Sequence, residues 1–349
     1  MKIEDKASGK VSWKCPSNIA LVKYWGKFGR QYPKNPSISF TLSEAHTITH
    51  VEYVYNSIAQ DEIKIDFKFE GEQKPTFANK VQSYLNSISD VLPIVKHLSL
   101  NIESENSFPH SSGIASSASS MAALAMCLIS IEKELTHGTN LNYQKASFLS
   151  RLGSGSACRS VFEKVAIWGE VKGIEESSND FAIPYFKKIN PIFHTFHDDI
   201  LIVSAEEKSV SSRAGHALME SNAYGKARFQ QANEHMAILL EAMKSGDLET
   251  FGYIVEKEAL TLHALMMASD PPYMLLEPNT IQIIKKIQSF RKDTATPVYF
   301  TLDAGPNIHL LYPTEFSPLV NELKNDLKPY CVNGRIIEDK VGDGPIKIL

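Results

Sequence analysis

Asp303 lies in "LDAGPN" (302–307), where it closes the apolar run "PVYFTL" and directly precedes an Ala-Gly-Pro turn. A carboxylate held between a strand end and a tight turn has little freedom, which suits a base or orienter of a hydroxyl. The same residues also serve ordinary turn chemistry, so the motif needs partners. Lys23 and Lys27 stand four apart in "NIALVKYWGK" (18–27), with Tyr24 between them. A phosphate-rich ligand there would meet two cations and a phenol. The stretch "GSGSACRS" (153–160) adds the hydroxyls of Ser154 and Ser156, close backbone approach at Gly155, and Arg159, whose planar fork fits a carboxylate. Taken alone, it also reads as a Gly-rich turn with a surface arginine.

Neither familiar nucleotide loop fits. No G-x-x-x-x-G-K-[ST] occurs, and Cys158 stands where a third dinucleotide-binding glycine belongs. A different anion site is offered by "NSFPHSSGIASSASSMAAL" (106–124), where a turn with Pro109 and Gly113 leads into serines at an expected helix start near Ser116 or Ser117. First-turn N–H groups lack partners within a helix and carry partial positive charge, so small residues there admit phosphate oxygens. A serine-rich N-cap before an Ala-rich packed helix has the same composition. "HTFHDD" (194–199) puts His194 and His197 beside Asp198 and Asp199, but no third ligand follows at a definite spacing, and no metal site is assigned. Cys158 is read as a small packing residue next to its loop.

These residues need elements to hold them. "IKIDFKFE" (63–70) alternates strictly and predicts a half-buried antiparallel strand, with "THVEYVY" (49–55) as a hairpin partner. "HLSLNIES" (97–104) alternates again. One helix is expected from Ser116 or Ser117, and a second beginning within or just before "SGSACRSVF". The prolines of "PYFKKINP" (184–191) break the pattern before the buried strand "ILIVSAEE", placing a domain boundary near residue 188. Beyond it, 222–245, 247–268 and "NTIQIIKKIQSFR" read as helices, then a strand, a Gly-Pro turn and a strand over 297–313. Strands and helices mix without a βαβ rhythm, so the expected class is α+β in two domains, 1–188 and 189–349.

The chain has 349 residues, enough for two cores, with 43% hydrophobic and 22% charged residues. A net charge of −4 without basic blocks argues against nucleic acid or an anionic membrane as partner. The polar start "MKIEDKASGK" does not resemble a signal peptide, and the apolar run "MAALAMCLISI" is too short to span a bilayer. Four cysteines without C-x-x-C pairing suit a reducing, cytoplasmic compartment.

"PSNIALVKYWGK", "SFPHSSGIASSAS", "GSGSACRS" and "LDAGPN" occur in this order and together resemble the diphosphomevalonate decarboxylase family, within the superfamily of galactose, homoserine, mevalonate and phosphomevalonate kinases. "VGDGP" (341–345) extends the likeness to the C-terminus. The resemblance implies a two-domain fold, with an N-terminal domain like the second domain of ribosomal protein S5 and a ferredoxin-like C-terminal domain. It implies ATP- and Mg2+-dependent phosphorylation of a 3-hydroxyl, followed by loss of phosphate and CO2 to give isopentenyl diphosphate, in a homodimer. It assigns catalysis to Asp303, Lys23 and Arg159. Substrate binding falls to Tyr24, Lys27, Ser154, Gly155, Ser156 and Arg159, with Ser212 and Arg213 of "SSRAGH". Nucleotide binding falls to Asn106, Ser107, Pro109, Ser112, Gly113, Ala115, Ser116, Ser117 and Ser119, with the metal carried mostly by ATP oxygens and water. The chain departs from the family in reading "PHSSGIASSA" where "PTAAGLASSA" is usual, and in having His216 where methionine is commoner. Relatives acting on the monophosphate, a mevalonate-ester 3-kinase and a non-catalytic ligand-binding relative are the other readings.

Overall fold

Thirteen extended residues, Ser8–Ala20 (β1), begin the structure, a computed structural model that describes residues 7–108, 116–206 and 210–349. Strand β1 pairs antiparallel with Ser37–Tyr55 (β4), and between them Lys27–Phe28 (β2) and Tyr32–Pro33 (β3) form a short hairpin. Pro16 has no N–H to donate, and the β1–β4 register shifts between Pro16 and Asn18. The backbone N–H groups that the irregularity frees at Ser43, Glu44 and Ala45 donate instead to the buried Asp339 carboxylate, at 2.8, 2.8 and 2.7 Å. Beyond this shift β1 delivers Asn18 and, just past its end, Lys23 to the middle of the molecule.

The remaining strands of the first sheet are Lys64–Phe69 (β5), Glu72–Gln73 (β6), Leu98–Asn106 (β7), Val165–Trp168 (β8) and Ala182–Pro184 (β9). Ile346–Lys347 (β14) returns from the C-terminal end of the chain to pair with β1. The order is β14-β1-β4-β7-β5-β6, with β8 on the other half of β4 and β9 on β8. The alternation over 63–70 does form a strand, but 49–55 is not its partner. β7 lies between them, antiparallel to β4 and parallel to β5. The reason is helix Pro75–Ser87 (α1), which sequence reading passed over. It carries the chain from β5 back to the sheet, and a parallel pair requires a crossover of that kind.

Helices Ser116–Leu135 (α2) and Tyr143–Gly153 (α3) cover the sheet, and α2 buries its Ala-rich length among Val11, Trp13, Val51 and Ile102. The helix that begins within "SGSACRSVF" is a 3₁₀ turn, and the α-helix before it starts well upstream, at Tyr143. α3 ends at Gly153, and Gly155–Val161 is a tight 3₁₀ helix.

After β9 the chain enters a four-stranded sheet of order β11-β12-β10-β13, made of Tyr299–Thr301, Ile308–Pro313, Phe196–Leu201 and Ile336–Ile337. Helices Ser212–Leu218 (α4), Gly225–Ser245 (α5), Leu248–Met267 (α6), Pro278–Thr294 (α7) and Ser317–Leu327 (α8) accompany it. The α+β class therefore holds. One apolar core joins the two sheets, with Ile19, Val22 and Phe40 packing against Phe193, Phe196 and Phe251. No described helix is long and apolar enough to cross a membrane.

Candidate active site

The two sheets meet at a cleft of about 840 Å³ that Lys23, Arg159 and Asp303 all line. Lys23 is 1% exposed. Its Nζ donates to Asp303 Oδ1 at 3.0 Å and to the Ala20 carbonyl at 2.6 Å. Asp303 sits in the turn between β11 and β12, and its side chain remains 29% exposed, open to a ligand on the cleft side. Burial pulls the Lys23 ammonium below its usual pKa. The Asp303 carboxylate, followed by Glu258 and Asp198, opposes that fall. A lysine in this setting favours the ionised form of a neighbouring carboxylate, which can accept from a hydroxyl.

Arg159 is 2% exposed and far from being a surface arginine. Nε donates to Ser39 Oγ at 3.0 Å and to Asn18 Oδ1 at 3.3 Å, and Nη2 donates to Asn18 Oδ1 at 3.1 Å. Asn18 is itself fixed by Ser160 Oγ at 2.7 Å and the Ser156 carbonyl at 3.1 Å. Nη1 is buried with no hydrogen-bond partner among the described residues. A buried, unsatisfied cationic donor is costly, and a carboxylate entering the cleft would satisfy it. The 3₁₀ turn aims this fork, and Gly155 permits the turn. A Cβ there would stand 2.8 Å from Tyr24 Oη and 2.9 Å from the Trp168 ring. Tyr24 packs edge-on to Trp168, with ring centroids 4.7 Å apart, and its buried hydroxyl has no described partner.

The outer cleft is built differently. Lys27, Ser154 and Ser156 are half-buried, Ser212 and Arg213 are exposed, and all five line the cleft. Lys27 donates to Gln31 at 2.9 Å, and its pKa falls below the usual value through burial and then through Arg213, a second cation facing it. Two cations brought together without a carboxylate between them form a seat for a multiply charged anion. Helix α4 carries Ser212 and Arg213, and His216 moors it there. The Gly26 N–H donates to His216 Nδ1 at 3.0 Å, and the imidazole lies 4.4 Å from Tyr24 and 4.5 Å from Trp25 between ring centroids.

Ser116 and Ser117 line the cleft at the start of α2, and Ser117 Oγ lies 3.2 Å from Ser154 Oγ, so the expected nucleotide and substrate loops adjoin. Three other expected nucleotide residues point elsewhere. Ser119 is buried against Thr47 at 2.6 Å, and Asn106 accepts from the same Thr47 hydroxyl at 2.7 Å. Ser107 donates to the Glu44 carbonyl at 2.6 Å. Pro109, Ser112, Gly113 and Ala115 lie outside the described residues. Cys158 is buried, and burial pushes its thiol up to about 12, which suits packing and not nucleophilic work. The four titratable side chains of "HTFHDD" are engaged structurally, His194 through the Phe186 carbonyl at 3.0 Å. His309 pairs with Asp198 at 2.6 Å, Tyr312 donates to Asp199 at 2.6 Å, and His197 stacks on Tyr312.

Sequence reading missed Asn18, which orients Arg159, and the polar groups behind Lys23. Glu258, Arg228 and His235 form a buried cluster in which Glu258 Oε2 accepts the Lys23 backbone N–H at 2.8 Å. Their helices gave only amphipathic periodicity, which does not reveal partners more than 200 residues away.

Residues 15–179 match the family model described as the diphosphomevalonate decarboxylase-like N-terminal domain, and residues 199–338 match the mevalonate 5-diphosphate decarboxylase C-terminal domain. The diphosphomevalonate decarboxylase of Debaryomyces hansenii is 32% identical, over 86% of this chain and 78% of its own. The mevalonate diphosphate decarboxylase structure from Staphylococcus aureus superposes with a TM-score of 0.84 at 27% identity, covering 98% of this chain and 99% of its own. A solved complex of the protein called MDDEF with MVAPP, AMPPCP and magnesium gives a TM-score of 0.80 at 28% identity, with 98% and 99% covered.

Proposed function

The chain belongs to the diphosphomevalonate decarboxylase family, and from that premise we infer the chemistry of its cleft: ATP-dependent conversion of mevalonate 5-diphosphate to isopentenyl diphosphate, releasing ADP, phosphate and CO2. The observation that carries the reading is the buried Lys23–Asp303 pair in the same cleft as the unsatisfied Nη1 of Arg159.

Asp303 accepts a hydrogen bond from the substrate's 3-hydroxyl, orients its oxygen towards the γ-phosphorus and takes up the proton as the new O–P bond forms and the bond from that phosphorus to the ADP oxygen breaks. Lys23 keeps that carboxylate charged and stabilises charge on the 3-oxygen. The C3–O bond then breaks with phosphate leaving. The electron pair of the C–CO2 bond becomes the alkene π bond as CO2 departs. Arg159, fixed by Asn18 and Ser39, holds the carboxylate along this path. Lys27 and Arg213, with the hydroxyls of Tyr24, Ser154, Ser156 and Ser212, bind the diphosphate, while Ser116 and Ser117 at the α2 start face the nucleotide phosphates. Among the described residues no group of three or more His, Cys, Asp or Glu is placed to hold a metal. A magnesium ion arriving with ATP would be carried chiefly by phosphate oxygens and water, where it neutralises charge on the transferred group.

The Lys27–Arg213 pair favours the diphosphate ester over the monophosphate. Purified protein given each ester with ATP and Mg2+ should form ADP, phosphate and alkene in equal amounts, with the larger kcat/KM on the diphosphate. ADP without alkene would leave only a 3-kinase, and a preference for the monophosphate would reassign the substrate. The proposal includes a homodimer, for which the exposed Tyr253, Leu260 and Met267, seven apart along α6, offer an apolar stripe; light scattering tests it. It also includes a cytoplasmic setting, in keeping with four free and buried cysteines.

A further inference from the structure

We propose that helix α6 sets the separation of the reacting pair, with Glu258 and His263 acting as positioning residues that fix Lys23 and Asp303 through their backbones. The inference rests on the assignment of Lys23 and Asp303 as that pair. The two are 280 residues apart in sequence and emerge from different sheets, so their 3.0 Å contact depends on how the two sheets are held together. Both are tied to α6. Glu258 Oε2 accepts the Lys23 N–H at 2.8 Å, and the His263 imidazole meets the Asp303 carbonyl at 3.1 Å. A carbonyl only accepts, so His263 carries its proton on Nε2. Glu258 is 0% exposed and His263 2% exposed.

The anchor at Lys23 is double. Arg228 on α5 grips Glu258 with both Nη atoms, at 2.6 and 2.5 Å, and its Nη2 also donates to the Lys23 carbonyl at 3.1 Å. His235 Nδ1 closes the cluster 2.5 Å from Glu258 Oε1. Charged residues are a poor way to fill a core, because removing them from water costs as much as their attraction returns. This cluster leaves Arg228 Nε without a partner among the described residues. Its output is the placement of the Lys23 backbone, held at the N–H on one side of its Cα and at the C=O on the other. Proton transfer and in-line attack tolerate little misplacement, and an error near 1 Å can cost about a hundredfold.

His263→Leu fills the site without the donor, whereas His263→Gln keeps an N–H near the position of Nε2. His263→Leu should lower kcat about tenfold or more while KM for ester and ATP stays within about twofold, and His263→Gln should recover most of that loss. Glu258→Gln should also lower kcat. It should move the alkaline limb of the kcat profile to lower pH as well, because Lys23 then faces only Asp303 and Asp198 among the acids that hold its proton. Should His263→Leu not melt cooperatively, His263→Asn, too short to reach the carbonyl, takes its place. Wild-type kcat in the donor-less variant, an effect confined to KM, or His263→Gln no better than His263→Leu would each overturn the role of α6. Asp303→Asn, assayed alongside, separates the two readings. Turnover surviving there rejects the reacting pair itself, while its loss beside normal turnover in His263→Leu rejects only the positioning.

Discussion

The two ends of the cleft solve opposite problems with the same residue types. At the inner end Lys23 and Arg159 are almost wholly buried, and side chains or carbonyls brace each of them. At the outer end Lys27 is half-buried, Arg213 is exposed, and each faces the other's charge. Charge developing in a transition state is stabilised best by groups that need no reorganisation and are shielded from water, which describes the inner end. A polyphosphate must enter and leave, and a half-buried lysine facing an exposed arginine on a short helix allows that at the cost of screening by salt. The inner end should therefore govern kcat and the outer end KM.

Arg159→Lys offers the hardest test of the inner half. The charge survives, but the fork held by Asn18 and Ser39 does not, so kcat should fall about a hundredfold or more in a single-turnover assay. Near-normal kcat would mean that charge alone suffices there and that the bracing is incidental. The outer half predicts a milder and different loss. Arg213→Met should raise KM for the ester about tenfold with kcat within about threefold, and the dependence of KM on ionic strength should flatten. A fall in kcat with unchanged KM would erase the distinction between the ends.

The same contrast explains what could be read from the sequence. Asp303, Lys23 and Arg159 stand in short motifs whose local grammar, a strand end before Gly-Pro or an arginine after a Gly-Ser turn, already restricts them. Glu258, Arg228, His235 and His263 stand at ordinary polar positions of amphipathic helices. Only the meeting of the two sheets shows that they reach Lys23 and Asp303. Sheet neighbours failed for a related reason. Residues 63–70 announced a strand through alternation, but alternation is blind to which strand lies beside it. The missed helix α1 decided that β5 runs parallel to β7. The resemblance assigns Ser119, Asn106 and Ser107 to nucleotide binding, yet their hydroxyls and amide bond to the middle of β4, at Thr47 and Glu44.

His216 stands at the root of the outer end, and its protonation measures how firmly that root is closed. Burial, then the nearby Lys27 charge, pulls its pKa from the ordinary 6.5 down to about 3. Its Nδ1 is already occupied by the Gly26 N–H, so a second proton would have to displace that bond. The unfolded chain takes up the proton near pH 6.5 and the folded one does not until about 3. The stability that neutral His216 confers is thus complete above 6.5 and drains away as pH falls towards 3. Between pH 7 and 5 the drain amounts to about 1–2 kcal/mol, a few degrees in Tm for a chain of this size. His216→Met removes the titrating group and should carry a smaller drop in Tm over that interval, whatever its offset at pH 7. Parallel curves for the two proteins would mean that water and protons reach the ring freely. The mooring of α4 to the Lys23–Lys27 segment would then be as open as the Arg213 side chain it supports.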